Sequence, residues 1–162
     1  MLLSSGDYQQ FAELAGMDRS EFEALRDLPG KRIANDKILL ARRNESKPLL
    51  TADNVVVENS LRKDVRLNIT FNPETDSKVV NAQVGGTGPV CRLCVDSTPH
   101  RPFGRSHKHS LQTERCPERN LPDGVIDKSD LAGKSIEEVF REFCTMADIV
   151  FNGTIELEEF EV

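Results

Sequence analysis

The stretch "DVRLNITFNPETDSKVVNAQV", residues 64–84, decides how the rest of the chain is read. Val65, Leu67, Ile69 and Phe71 alternate with Arg66, Asn68 and Thr70. Successive side chains of a strand point to opposite faces, so this order predicts a half-buried strand with the four apolar residues inward. Pro73 to Ser77 supplies a turn, and "KVVNAQV" (78–84) returns beside it.

The same period runs outward in both directions. "KILLARR" (37–43) and "NVVVEN" (54–59) are rich in branched apolar residues and predict two earlier strands. On the other side "GGTG" (85–88) lacks the Lys-Ser/Thr that a phosphate-cradling loop needs and reads as a tight connection. "PVCRLCVD" (89–96) then gives a fifth strand. Near the C-terminus Ser135 and Glu138 form a capping box. Behind it Ile136, Val139, Phe140, Phe143 and Ala147 make one apolar stripe, with Cys144 beside it. A long helix over 135–147 is expected to cover the 64–72 strand. Asn152-Gly153, set between apolar runs, predicts a hairpin, and the tail "ELEEFEV" reads as solvated.

The fold expected is α+β: a mostly antiparallel sheet of about five to seven strands, with one long helix near the C-terminus packed on it. An N-terminal helical hairpin occupies 1–30, and 31–162 forms the α+β domain. Tyr8, Phe11, Leu14 and Ala15 mark the hairpin's first helix, with Gly16 stopping it. Asp18 and Glu21 cap the second, Phe22 and Leu25 give its apolar face, and Pro29-Gly30 ends it. "YQQFAELAGMDRSEFEALRD" (8–27) resembles the helix-turn-helix pattern, with Ala12 at the small position and Gly16 in the turn. Its second helix carries Asp18, Glu21, Glu23 and Asp27 against Arg19 and Arg26. A net negative helix does not suit an approach to phosphates, so a structural hairpin is expected in place of a DNA reader.

A chain of 162 residues with 30% charged residues and a net charge of −6 fits a globular protein and argues against wholesale binding to DNA or an anionic membrane. No membrane partner is expected. The first residues show no basic and apolar leader, which points to a cytoplasmic setting. There, four cysteines mean free thiols or metal ligands, and the Asn-x-Ser/Thr triplets at Asn44, Asn68 and Asn152 carry no glycan.

One segment departs from that acidity. Residues 89–119 hold Arg92, Arg101, Arg105, Lys108, Arg115 and Arg119 against Asp96, Glu114 and Glu118, a balance of +3 that leaves −9 elsewhere. The three histidines, His100, His107 and His109, fall here, and Cys91, Cys94 and Cys116 flank them. The segment lies mostly within 97–134, where Pro99, Pro102, Pro117 and Pro122 predict a long irregular loop of the kind that often carries function.

Three chemistries fit. Extended "GRSHKHS" (104–110) puts Arg105, His107 and His109 on one side, about 6.5–7 Å apart, with Ser106 and Lys108 on the other. Two imidazoles so spaced can take a proton from a ribose hydroxyl and return one to a leaving oxygen. Arg105 would stabilise the phosphorane, as metal-independent RNA cleavage requires. His100, Arg101, Lys108, Arg115 and Arg119 would then contact the anionic ligand. Alternatively Cys91, Cys94, His107 and Cys116 make a Cys3His zinc set, although a strand at 89–96 would turn Cys91 and Cys94 to opposite faces. The third reading is a plain contact loop. Two functions therefore stand side by side: a ribonuclease-like protein of toxin or defence type needing no cofactor, and a non-catalytic, zinc-supported module contacting nucleic acid or a protein partner.

Overall fold

The computed structural model describes residues 17–99, 104–109 and 125–159. It is an α+β fold dominated by sheet. Helix α1 (Arg19–Asp27) leads into β1 (Lys31–Ile33), β2 (Lys37–Arg42), β3 (Leu50–Val57), β4 (Val65–Asn72), β5 (Ser77–Val84), β6 (Gly88–Val95), β7 (His107–His109) and β8 (Val125–Asp127). A 3-10 turn at Ser129–Leu131 precedes helix α2 (Ile136–Met146), β9 (Ile149–Phe151) and β10 (Thr154–Leu157). The main sheet has eight strands in the order β10-β2-β3-β4-β5-β6-β7-β8, and β1 pairs with β9 in a small second sheet. Every junction in the main sheet is antiparallel except β10–β2.

The centre is the β4–β5 pair expected from residues 64–84. Val65 faces Val84, Leu67 faces Ala82, and Ile69 faces Val80, all six buried. Phe71, opposite Lys78 at the strand end, is half-buried. The helices lie on this face: Phe22 and Leu25 of α1 and Phe143 of α2 share a small apolar cavity with Val65 and Leu67. Burying a large apolar side chain contributes roughly 1.5–3 kcal/mol, and α2 sinks Val139, Phe140 and Phe143 completely. Phe140 meets Phe151 edge-on with ring centres 5.3 Å apart, which ties α2 to β9.

Local chemistry sets the helix ends. Ser135 Oγ accepts from the Glu138 amide, and Glu138 Oε2 accepts from the Ser135 amide, completing the expected capping box. The helix it starts is eleven residues, not a long one. Asp18 Oδ1 accepts from the Glu21 amide at the start of α1. At the other end of α1 the buried Lys31 ammonium donates to the carbonyls of Arg26 and Leu28, both at 2.7 Å, where the helix dipole is negative. The first helix expected in the N-terminal hairpin, and with it the Ala12 and Gly16 positions of the helix-turn-helix resemblance, lies outside the described residues. Phe22 and Leu25 belong to the same core cluster as the sheet.

Three expectations are corrected. The sheet has eight strands, not five to seven, because β7 and β8 form within the 97–134 stretch read as irregular. These strands have three residues each, too short for alternation to register; β7 is recruited by pairing with β6, and β8 by pairing with β7. Asn152-Gly153 makes no hairpin: β9 runs parallel to β1, and β10 parallel to β2. Neither residue has the positive φ that a type I′ turn demands. Instead the chain steps from one sheet to the other, with the Thr154 amide donating to the Asp36 carbonyl. A Cβ on Gly153 would stand 2.5 Å from the Asn35 carbonyl oxygen and 2.6 Å from that of Asp36, so the close approach needs glycine.

Candidate functional site

The face of the sheet away from α1 and α2 mixes polar side chains with apolar ones, among them the exposed Leu39 and Val56. Along one row Asn68 on β4, Asn81 on β5, Arg92 on β6 and position 109 on β7 are successive cross-strand partners. Adjacent strands lie about 4.8 Å apart, so the row spans roughly 14 Å. Asn68 is partly committed, since its Oδ1 accepts from the Asn54 amide at a bulge in β3 where Asn54 has φ of 57°.

The next row is Thr70, Val79, Cys94, His107 and Asp127. Val79, Cys94 and His107 floor a cleft of about 220 Å³. Arg92, Ser97, Thr98 and Pro99 complete the lining. His107 is 2% exposed, and its Nδ1 is 3.0 Å from the Gly104 carbonyl oxygen. A carbonyl only accepts, so Nδ1 carries the proton in this contact. Burial pushes the Cys94 thiol up, against the charge and hydrogen bond of Arg92, so Cys94 is a neutral thiol near pH 7.

Asp96 organises the end of this site. It takes φ of 53°, and its Oδ2 accepts from Lys78 Nζ at 2.7 Å and from the Gly133 amide at 2.9 Å. Its amide donates to the buried Ser106 Oγ at 3.0 Å. Burial alone would raise this carboxyl. The Lys78 hydrogen bond, the Gly133 amide and the charges of Lys78 and Arg105 overcome that and hold it below the usual carboxylate range. Lys78 is 1% exposed and also reaches Asp76 Oδ2 at 2.9 Å. Nothing in the sequence pattern flagged this lysine, which stands at an inward position of β5 where alternation asks for an apolar residue; the only available signal was Asp76 two residues before it.

Several of the residues singled out in the sequence are described, and each has its own surroundings. Arg105 is extended toward backbone, donating from Nε to the Ser97 carbonyl and from a terminal nitrogen to the Asp96 carbonyl at 2.8 Å. Ser106 is not turned to solvent but buried as a prop for Asp96. His107 and Cys94 share the cleft. Cys91 lines the apolar cavity under the helices, on the opposite face from Cys94, so the two thiols have no common point at which to hold one ion. Among the described residues no three His, Cys, Asp or Glu side chains cluster as a metal site. His100, Arg101, Arg115, Cys116 and Arg119 lie outside the described residues, as do the side chains of Lys108 and His109. No described helix is long and apolar enough to cross a membrane.

No family model, curated protein or solved structure matches this chain.

Proposed function

We propose that the protein is a non-catalytic binding module whose sheet face away from α1 and α2 contacts single-stranded RNA. The observation that supports this best is the row Asn68, Asn81 and Arg92, which sets amide and guanidinium groups in register across three strands. Amides and guanidinium groups are the side chains that read base edges and phosphates. The +3 balance of residues 89–119 supplies local attraction within an acidic protein.

The runner-up is RNA cleavage by His107 and His109 with Arg105. Two contacts count against it. Arg105 is engaged with the carbonyls of Asp96 and Ser97, and His107 is buried with Nδ1 on the Gly104 carbonyl. Zinc support, if it enters, has to be built without joining Cys91 to Cys94. Fluorescence anisotropy with a mixed-sequence 12-nucleotide RNA tests the reading, read together with the integrity of that RNA on a denaturing gel. Binding that weakens with salt and with Arg92→Ala, on RNA that stays intact, supports a binding module. Cleavage that His107→Ala and His109→Ala each abolish would replace it with the ribonuclease reading, and absence of binding would overturn both.

A further inference from the structure

We infer that RNA bound on this sheet face crosses the strands to the β2–β3 hairpin and sets a backbone phosphate against Lys47, an assignment that rests on the RNA binding proposed above.

A second cleft lies at that hairpin. Its volume is about 230 Å³, and Arg43, Asn44, Lys47, Leu49 and Thr51 line it. Thr51 ties it to the rest of the face. This residue pairs with Thr70, Thr70 with Val79, Val79 with Cys94, and Cys94 with His107. The hairpin cleft and the β6–β7 cleft therefore share one cross-strand row, which runs beside Asn68, Asn81 and Arg92. From β3 to β7 the row spans roughly 19 Å at about 4.8 Å per strand, a length for an oligonucleotide and beyond one nucleotide.

Charge sets this strip apart. The chain has 27 Asp and Glu and a net charge of −6. Yet no carboxylate stands in the row from Thr51 to His107, nor among Asn68, Asn81 and Arg92. Asp53, at the β3 bulge beside Asn68, is ion-paired with Arg43. Glu45, in the same loop as Lys47, is not among the residues lining the cleft. Lys47 is exposed, and among the described residues its ammonium has no hydrogen-bond or ion-pair partner. A compact ammonium at the end of a strip without carboxylates suits a phosphate, and such contacts position a strand without reading its sequence.

The test uses the full chain, the mixed-sequence 12-nucleotide RNA and Lys47→Ala, with Lys63→Ala as the control. Lys63 is exposed in the β3–β4 connection, at the other end of β3, and its loss removes the same charge. Affinity is read by fluorescence anisotropy between about 50 and 200 mM salt. Lys47→Ala is expected to weaken binding about fivefold at the lower salt. It should also flatten the slope of log affinity against log salt by about 0.7, the value for one phosphate contact on a single strand. An oligo-uridine of the same length should lose as much, and Lys63→Ala should change neither affinity nor slope. If RNA binds and Lys47→Ala keeps the parent affinity and slope, or if both variants weaken equally, the hairpin assignment is overturned and the RNA reading stands. If the parent chain binds no RNA, the RNA reading and the hairpin assignment fall together.

Discussion

Lys78 Nζ lies 2.7 Å from Asp96 Oδ2, joining the first turn of β5 to the end of β6 inside the protein, with the lysine 1% and the aspartate side chain 17% exposed. An ammonium so deeply buried is tolerable only with carboxylates beside it, and Asp76 supplies the second. The pair fixes Asp96, and through Asp96 the Ser106, Arg105 and Gly133 contacts that shape the rim of the cleft.

Asp96→Asn keeps the shape and tolerates the positive φ, so it isolates the charge. Breaking a buried pair costs about 3–5 kcal/mol, and the lower end is expected because Asp76 still faces Lys78. The Asp96 carboxyl is depressed on folding, so its contribution is present above the ordinary carboxylate value of about 3.9 and is lost as pH falls through the lower folded value. Urea unfolding should therefore separate wild type from Asp96→Asn at pH 7, with the gap closing as pH falls below the ordinary carboxylate range. A gap independent of pH would refute the ion pair as its cause.

Gly153→Ala is expected to destabilise by at least the 1–3 kcal/mol typical of about one overpacked group, since the new Cβ meets two backbone carbonyl oxygens that cannot rotate away. Gly104→Ala, with nothing within 4 Å of its added Cβ and no positive φ, is the control and should be near neutral. Melting temperatures of the two variants decide the point. Equal, small effects would mean that the step between the sheets is looser than its geometry.

Ser135→Ala removes one half of the α2 capping box and should cost about 1 kcal/mol, within the roughly 0.5–2 kcal/mol range of cap losses. Hydrogen exchange should quicken first at the amide of Glu138, which the serine hydroxyl now accepts. Unchanged exchange there would show that the cap is dispensable.

Cys94 should alkylate slowly. Burial both raises its thiol and blocks access, and thiolate is the reacting form. Mass-mapped labelling with iodoacetamide at pH 8 is expected to be at least tenfold slower at Cys94 in the native chain than in urea. Labelling as fast as in the unfolded chain would mean an exposed or activated thiol, and would reopen cysteine chemistry in the cleft.

The alternation at 64–72, the return at 78–84 and the Ser135 capping box were legible in residue order, because pairing with a neighbour in sequence and burial of one face leave a local period. The same holds for the opposite facing of Cys91 and Cys94, which follows from three steps along a strand. Other features depend on partners distant in the chain. β7 exists through hydrogen bonds to β6 and β8 through hydrogen bonds to β7, and three residues are too few to carry a period. Asn152-Gly153 has the composition of a tight turn, yet parallel pairing with β1 and β2, more than a hundred residues away in sequence, draws its two flanks apart. Arg105 and His107 looked like parts of a reactive set with His109 because residue type and spacing are local. Their commitment to the carbonyls of Asp96, Ser97 and Gly104 was decided by where β6 ends and β7 begins. Residue order determined which segments could be strands or helices and which residues had chemistry to offer. Tertiary pairing decided which of those groups face a common cleft, because hydrogen-bond registry between strands is set by the assembled sheet and by no single segment of it.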